Sequence, residues 1–213
     1  FPIEAQTRAW FNENLESRSF YVPGVIAIIV MLITLMLTSM AIVREKEIGT
    51  MEQLLVTPIS AAEFIAGKTL PFALIGFADA LAVTLVAVFW FEIPVRGSLW
   101  LLFVATAFFL LTTLGIGVFI STVSGTQQQA MMTTFFFYFP AVLLSGFMFP
   151  IENMPLPVQL LTYINPLRYF LVIIRGVFLK GIGVPILWPQ MLALASLGGV
   201  VFSAAIRSFR KEL

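Results

Sequence analysis

The sequence predicts an all-α protein that crosses a membrane several times. Three observations carry that expectation. The 213-residue chain is 60% hydrophobic and only 11% charged, where soluble domains are about 25% charged. Its mean hydropathy is +1.00. Phe alone occurs 22 times. A soluble protein of this size must cover its surface with polar groups, and too few are present, so lipid is the solvent that fits.

The charges themselves mark out the elements. From Ser19 to Val43 no residue is charged. At ~1.5 Å per residue this run exceeds the ~30 Å hydrocarbon core. A first span is expected at residues 22–43, with Pro23 in its first turn, where a missing N–H is harmless. Residues 44–68 follow as the most charged internal segment, with Arg44, Glu45, Lys46, Glu47, Glu52, Glu63 and Lys68. That segment belongs in water or at the interface. Two capping boxes lie within it. Thr50 with Gln53 predicts a short helix that Pro58 ends near Val56, and Ser60 with Glu63 predicts the start of the next. The short helix places Met51, Leu54 and Leu55 on one face. So short a helix is marginal alone and needs a surface to dock on.

The helix begun at Ser60 is expected to continue as a second span over residues 69–91, bent at Pro71. Gly97 to Ile151 then runs about 55 residues without a charge, which suits two crossings rather than one. The polar stretch Ser121–Gln129 divides it into spans at 98–122 and 130–149. Residues 153–180 read as a re-entrant or interfacial helix pair, with Asn153 and Asn165–Pro166 as starts and Gly181 and Gly183 as stops. A last span is expected at 186–206, followed by Arg207, Arg210 and Lys211. About five crossings result. Positive charges divide evenly between the two sides, so they do not orient the chain.

Composition also excludes chemistry. A net charge of +1 gives no electrostatic case for nucleic acid. There is no Cys and no His. The commonest general base and the usual metal ligands are therefore missing, so neither intramembrane catalysis nor a metal site is expected. Residues 62–69, AEFIAGKT, end like a phosphate-binding loop, but Ala62 replaces its first Gly and no strand precedes it. Lys68 reads better as an interfacial lysine.

Two candidates remain. Asp79 lies mid-span and is the only Asp. It is a candidate proton carrier or substrate contact, or else a hydrogen-bonded acid steadying helix contacts. Arg168 and Arg175 are seven residues apart and share a helix face. They suit an anionic substrate or headgroup, or an internal ion pair with Glu152, the nearest acid in sequence. Two functions fit at this point: a proton-driven transporter using Asp79, and a non-transporting scaffold.

Residues 44–71, REKEIGTMEQLLVTPISAAEFIAGKTLP, resemble the cytosolic loop of type-2 ABC exporter permeases of the bacterial drug-efflux-like group. The pattern R-E-x-E-x-G-T-x-E-Q-L-L-x-T-P, followed by G-K-x-x-P, is met by Arg44, Glu45, Glu47, Gly49, Thr50, Glu52, Gln53, Leu54, Leu55, Thr57, Pro58, Gly67, Lys68 and Pro71. A second block, SGFMFPIENMP and then INPLRYFLVIIRGVFLKG, spans Ser145 to Gly181. The resemblance implies a permease in a bacterial inner membrane. It makes residues 44–68 cytosolic and the 50–56 helix a coupling helix that docks on a separate ABC ATPase. ATP and magnesium would sit in that partner, with no cofactor in this chain. A second permease, identical or a sister, would complete the path. The family usually has six spans, with an outside domain after the first. Residues 1–20 would then be the end of that domain.

Overall fold

The computed structural model describes residues 17–49 and 61–210, and these are helical almost throughout. Seven α-helices follow in order: α1 (Ser17–Ile48), α2 (Ala61–Phe89), α3 (Leu99–Val123), α4 (Gln127–Leu143), α5 (Leu156–Leu161), α6 (Pro166–Arg175) and α7 (Val184–Arg210). Short 3-10 turns flank α5, and α6 runs on into a π turn, Gly176–Lys180. Among the described residues there is no strand.

Four of these helices are long and apolar enough to cross a membrane: α1, α2, α3 and α7. Their large apolar side chains face outward in number, as lipid permits and water does not. Phe89 of α2 is 78% exposed and Val200 of α7 69%. Helix α4 has 17 residues, at the short limit for a crossing. The segments Leu156–Ile164 and Pro166–Lys180 meet at 82° and form an elbow. Asn165 makes that bend. Its Oδ1 accepts from the Leu167 N–H at 3.1 Å, and its Nδ2 donates to the Ala141 carbonyl at 2.6 Å. One side chain therefore caps α6 and ties it to the last turn of α4.

The helices alternate in direction, so two ends can be named. The motif end gathers the end of α1, the start of α2, the α3–α4 turn and the end of α7. The elbow end holds residues 144–183. Three exposed tryptophans lie at the elbow end: Trp90 just past α2, Trp100 in the first turn of α3 and Trp188 near the start of α7. That is where amphipathic rings sit in a membrane–water interface.

Helix α3 is the axis of the bundle. Some 72% of its most apolar stretch is buried, against 17% for α2 and for α7. Without a hydrophobic drive between lipid-bathed helices, close packing and interhelical hydrogen bonds must hold them. Small residues allow the approach. A Cβ at Gly115 would stand 3.0 Å from the backbone nitrogen of Phe202, so α3 and α7 pack backbone to backbone there. The Thr34 hydroxyl donates to Thr113 Oγ1 at 3.1 Å, and the hydroxyls of Ser39 and Thr134 share a 3.0 Å hydrogen bond. These join α1 to α3 and to α4. Phe109 of α3 stacks on Phe170 of α6 with centroids 4.2 Å apart, which seats the elbow on the core.

Several boundaries differ from those expected from charge. Helix α1 does not stop at Val43 but carries Arg44, Glu45, Lys46 and Glu47 on its last turns. Helix α4, expected at 130–149, begins at Gln127 and ends at Leu143. Pro140 removes a backbone donor near its end, and Gly146, with φ +80°, turns the chain away.

Candidate functional site

The motif residues split into two groups. Thr50, Met51, Glu52, Gln53, Leu54, Leu55, Thr57 and Pro58 lie outside the described residues, and so does the short helix expected there. Arg44, Glu45, Glu47 and Gly49 are described. Gly49 closes α1 with φ +82°, a left-handed turn that suits Gly, and its N–H reaches the Lys46 carbonyl at 3.2 Å.

The charged turn before it binds three other helices. Glu45 Oε1 pairs with Lys68 Nζ at 2.5 Å, joining the end of α1 to the first turns of α2. Lys46 Nζ donates to the carbonyls of Ser121 and Thr122 at 3.1 and 3.2 Å. Those carbonyls sit in the last turn of α3, where backbone acceptors lack helical partners and the dipole favours a cation. Glu47 does the reverse at α4. Its Oε1 accepts from the Gln127 N–H at 3.0 Å, and its Oε2 accepts from Gln127 Nε2 at 2.5 Å. A carboxylate at a helix N-terminus is the favoured sign. Both flanks of the 50–60 segment are thus gathered with α3 and α4 into one clamp. Each such contact contributes at most about 1 kcal/mol, so the clamp sets position more than stability. Lys46 and Gln127 were not among the residues singled out from sequence. The signal was there: Lys46 occupies the variable position between two motif acids, and Gln127 lies in the polar break.

Lys68 therefore serves as an ion-pair partner inside a helix, and the segment around it offers no phosphate loop. Asp79 lies midway along α2. Its Oδ2 is buried and has no hydrogen-bond partner among the described residues. Among those residues no group of three His, Cys, Asp or Glu side chains gathers to hold a metal.

At the elbow end, Glu152, Arg168 and Arg175 line one cavity of about 520 Å³. The ion pair expected between them is not formed. Glu152 is exposed on its 3-10 turn. Arg168 donates through Nη1 to Thr162 Oγ1 and lies 4.0 Å over the Tyr163 ring. Arg175 donates through Nη1 to the Gly146 carbonyl at 3.3 Å and lies 3.9 Å over the Phe20 ring. The reason is reach: a hydroxyl and a ring hold Arg168, a backbone carbonyl and a ring hold Arg175, and the solvated acid contacts neither. Arg175 Nε and Nη2 are buried without partners. An idle buried donor costs about 1–3 kcal/mol.

Residues 6–179 match the ABC-2 type transporter family. The probable multidrug ABC transporter permease YbhR of Escherichia coli (strain K12) is 37% identical over 210 residues, 99% of this chain and 57% of that protein. The probable multidrug ABC transporter permease YbhS of the same strain is 42% identical over 180 residues, 84% of this chain and 48% of that protein. Its inner membrane transport permease YhhJ is 33% identical over 214 residues, 99% of this chain and 57% of that protein. The chain spans about half the length of these curated relatives.

Proposed function

The chain belongs to the ABC-2 type transporter family, and from that premise we propose that it forms the permease part of an ATP-driven exporter. A separate ABC ATPase subunit would bind ATP and magnesium, and this chain would supply the path and the lever. The single observation that carries this reading is the clamp at the motif end. A segment that receives a push from a motor must be tied to the helices it moves. Glu45, Lys46 and Glu47 tie the end of α1, which leads into residues 50–60, to α2, α3 and α4. The exposed Met51, Leu54 and Leu55 face expected from sequence would be the docking surface.

The rest of the reading follows the relatives. Two are named as multidrug permeases and one as an inner membrane permease, so drugs or other amphipathic molecules are the proposed cargo and the bacterial inner membrane the proposed site. A second permease, identical or a sister, would complete the path. Helix α4 supports this with an outward row of Met132, Phe136 and Phe139.

The energy source is the point to test. Full-length protein is reconstituted with its ATPase in proteoliposomes, and export of an amphipathic dye is followed under ATP alone and under a pH gradient alone. Export under ATP only, retained in Asp79→Asn, is the expected result. Export under the gradient only, lost in Asp79→Asn, would transfer the function to proton-driven transport.

A further inference from the structure

We propose that the elbow-end cavity is a binding site for one phosphate-type oxyanion carried by an amphiphile, with Arg175 as its anchor. The inference concerns binding alone and does not depend on which energy source drives export.

The guanidinium of Arg175 carries the argument. Its Nη1 is engaged by the Gly146 carbonyl, while Nε and Nη2 have no partner. Those two nitrogens form one edge of the guanidinium plane. Their N–H groups run side by side at the spacing of two oxygens on one phosphate or carboxylate, which gives the bidentate fork. An arginine whose charge serves only the fold would carry a carboxylate on this buried edge. Here neither arginine of the cavity is ion-paired among the described residues. Phe20 covers one face of the guanidinium at 3.9 Å, which fixes the plane in place and keeps bulk water from the donors.

Arg168 is the internal contrast. It lines the same cavity, yet it is engaged by Thr162 and stacked on Tyr163. Its charge adds to the field, but its position is set by the elbow. Beside Arg175 the lining is apolar at Phe147, Met148, Leu171 and Val172, and Ser145, Glu152 and Gln159 add polar groups to it. About 520 Å³ admits a headgroup and the first part of a chain, and falls within the usual range for ligand pockets. Its level also fits. The cavity sits at the same end of the bundle as exposed Trp100 and Trp188, where headgroups are found.

A bilayer phospholipid and free phosphate in solution share this chemistry, and one experiment separates them. Full-length protein is purified in maltoside detergent and stripped of lipid. Phosphatidylglycerol, diacylglycerol with the same chains, and inorganic phosphate are then added separately. Bound lipid is counted by native mass spectrometry, and the thermal unfolding midpoint is followed. Phosphatidylglycerol is expected to bind and stabilise, diacylglycerol to do neither. Arg175→Lys keeps the charge but loses the fork, and is expected to weaken binding roughly tenfold or more. Arg168→Lys is expected to change it by less than about threefold. Stabilisation by inorganic phosphate that depends on Arg175 would assign the same site to a free oxyanion. Val172→Trp fills the cavity and leaves Arg175 in place; it is expected to abolish binding, and it decides alone if Arg175→Lys does not fold. Binding unchanged in both variants, or equal binding of diacylglycerol, would overturn the proposal.

Discussion

At the scale of single residues, the motif end shows why a charged pattern can be specific. Lys46 and Glu47 are neighbours of opposite sign, and each finds the helix end of the opposite polarity, α3 for the cation and α4 for the anion. Exchanging the two would set each charge against the wrong dipole. The account predicts that Glu47→Ala leaves the fold nearly as stable, since the contact is exposed. It also predicts that the ATPase stays bound while its hydrolysis no longer responds to cargo. Co-purification together with cargo-stimulated hydrolysis checks both halves. Asn165 acts more strongly because it is buried and uses both its polar atoms. Asn165→Ala should lower stability by about 1–3 kcal/mol, seen as a lower thermal unfolding midpoint in detergent. Asn165→Asp keeps the cap but cannot donate to the Ala141 carbonyl, so it should recover only part of the loss.

At the scale of elements, helix–helix contact rests on small residues and hydroxyls. Gly115 illustrates this, because Phe202 backbone lies where its Cβ would be. Gly115→Leu should force α7 off α3 and remove monodisperse protein from gel filtration, while Gly199→Leu, which faces open space, should not. Helix ends were the least legible part of the sequence. The charge-free run up to Val43 located the core of α1, but a charge does not end a helix when a neighbour satisfies it. Glu45, Lys46 and Glu47 sit on helical turns where α2, α3 and α4 supply partners for them, and those partners are distant in sequence. The end of α4 was hidden in the same way. Residues 144–149 are as apolar as the helix before them, and only the Gly146 turn and the reach of Asn165 show that the chain has left it. The elbow itself was readable, since Asn165–Pro166 is a local capping signal. The expected Glu152 pair failed for a different reason: nearness in sequence says little about reach across a turn.

At the scale of the whole molecule, the two ends carry different chemistry on one rigid axis. Helix α3 runs between them, buried more than its neighbours. The motif end is bound together by charge, with Glu45, Lys46, Glu47 and Lys68. The elbow end keeps an unsatisfied arginine beside a cavity, with tryptophans around it. Composition made the membrane class plain, and the 44–71 pattern pointed to the family. The energy source and the partner rest on the segment between α1 and α2, and that is where the account is most exposed to test. Full-length protein carrying Glu52→Lys and Leu55→Asp is expressed beside wild type, and each is purified gently from membranes. Wild type should bring an ABC ATPase with it, with hydrolysis stimulated by cargo, and the variant should lose both while remaining folded. An equal yield of ATPase and equal stimulation in the variant would contradict the account.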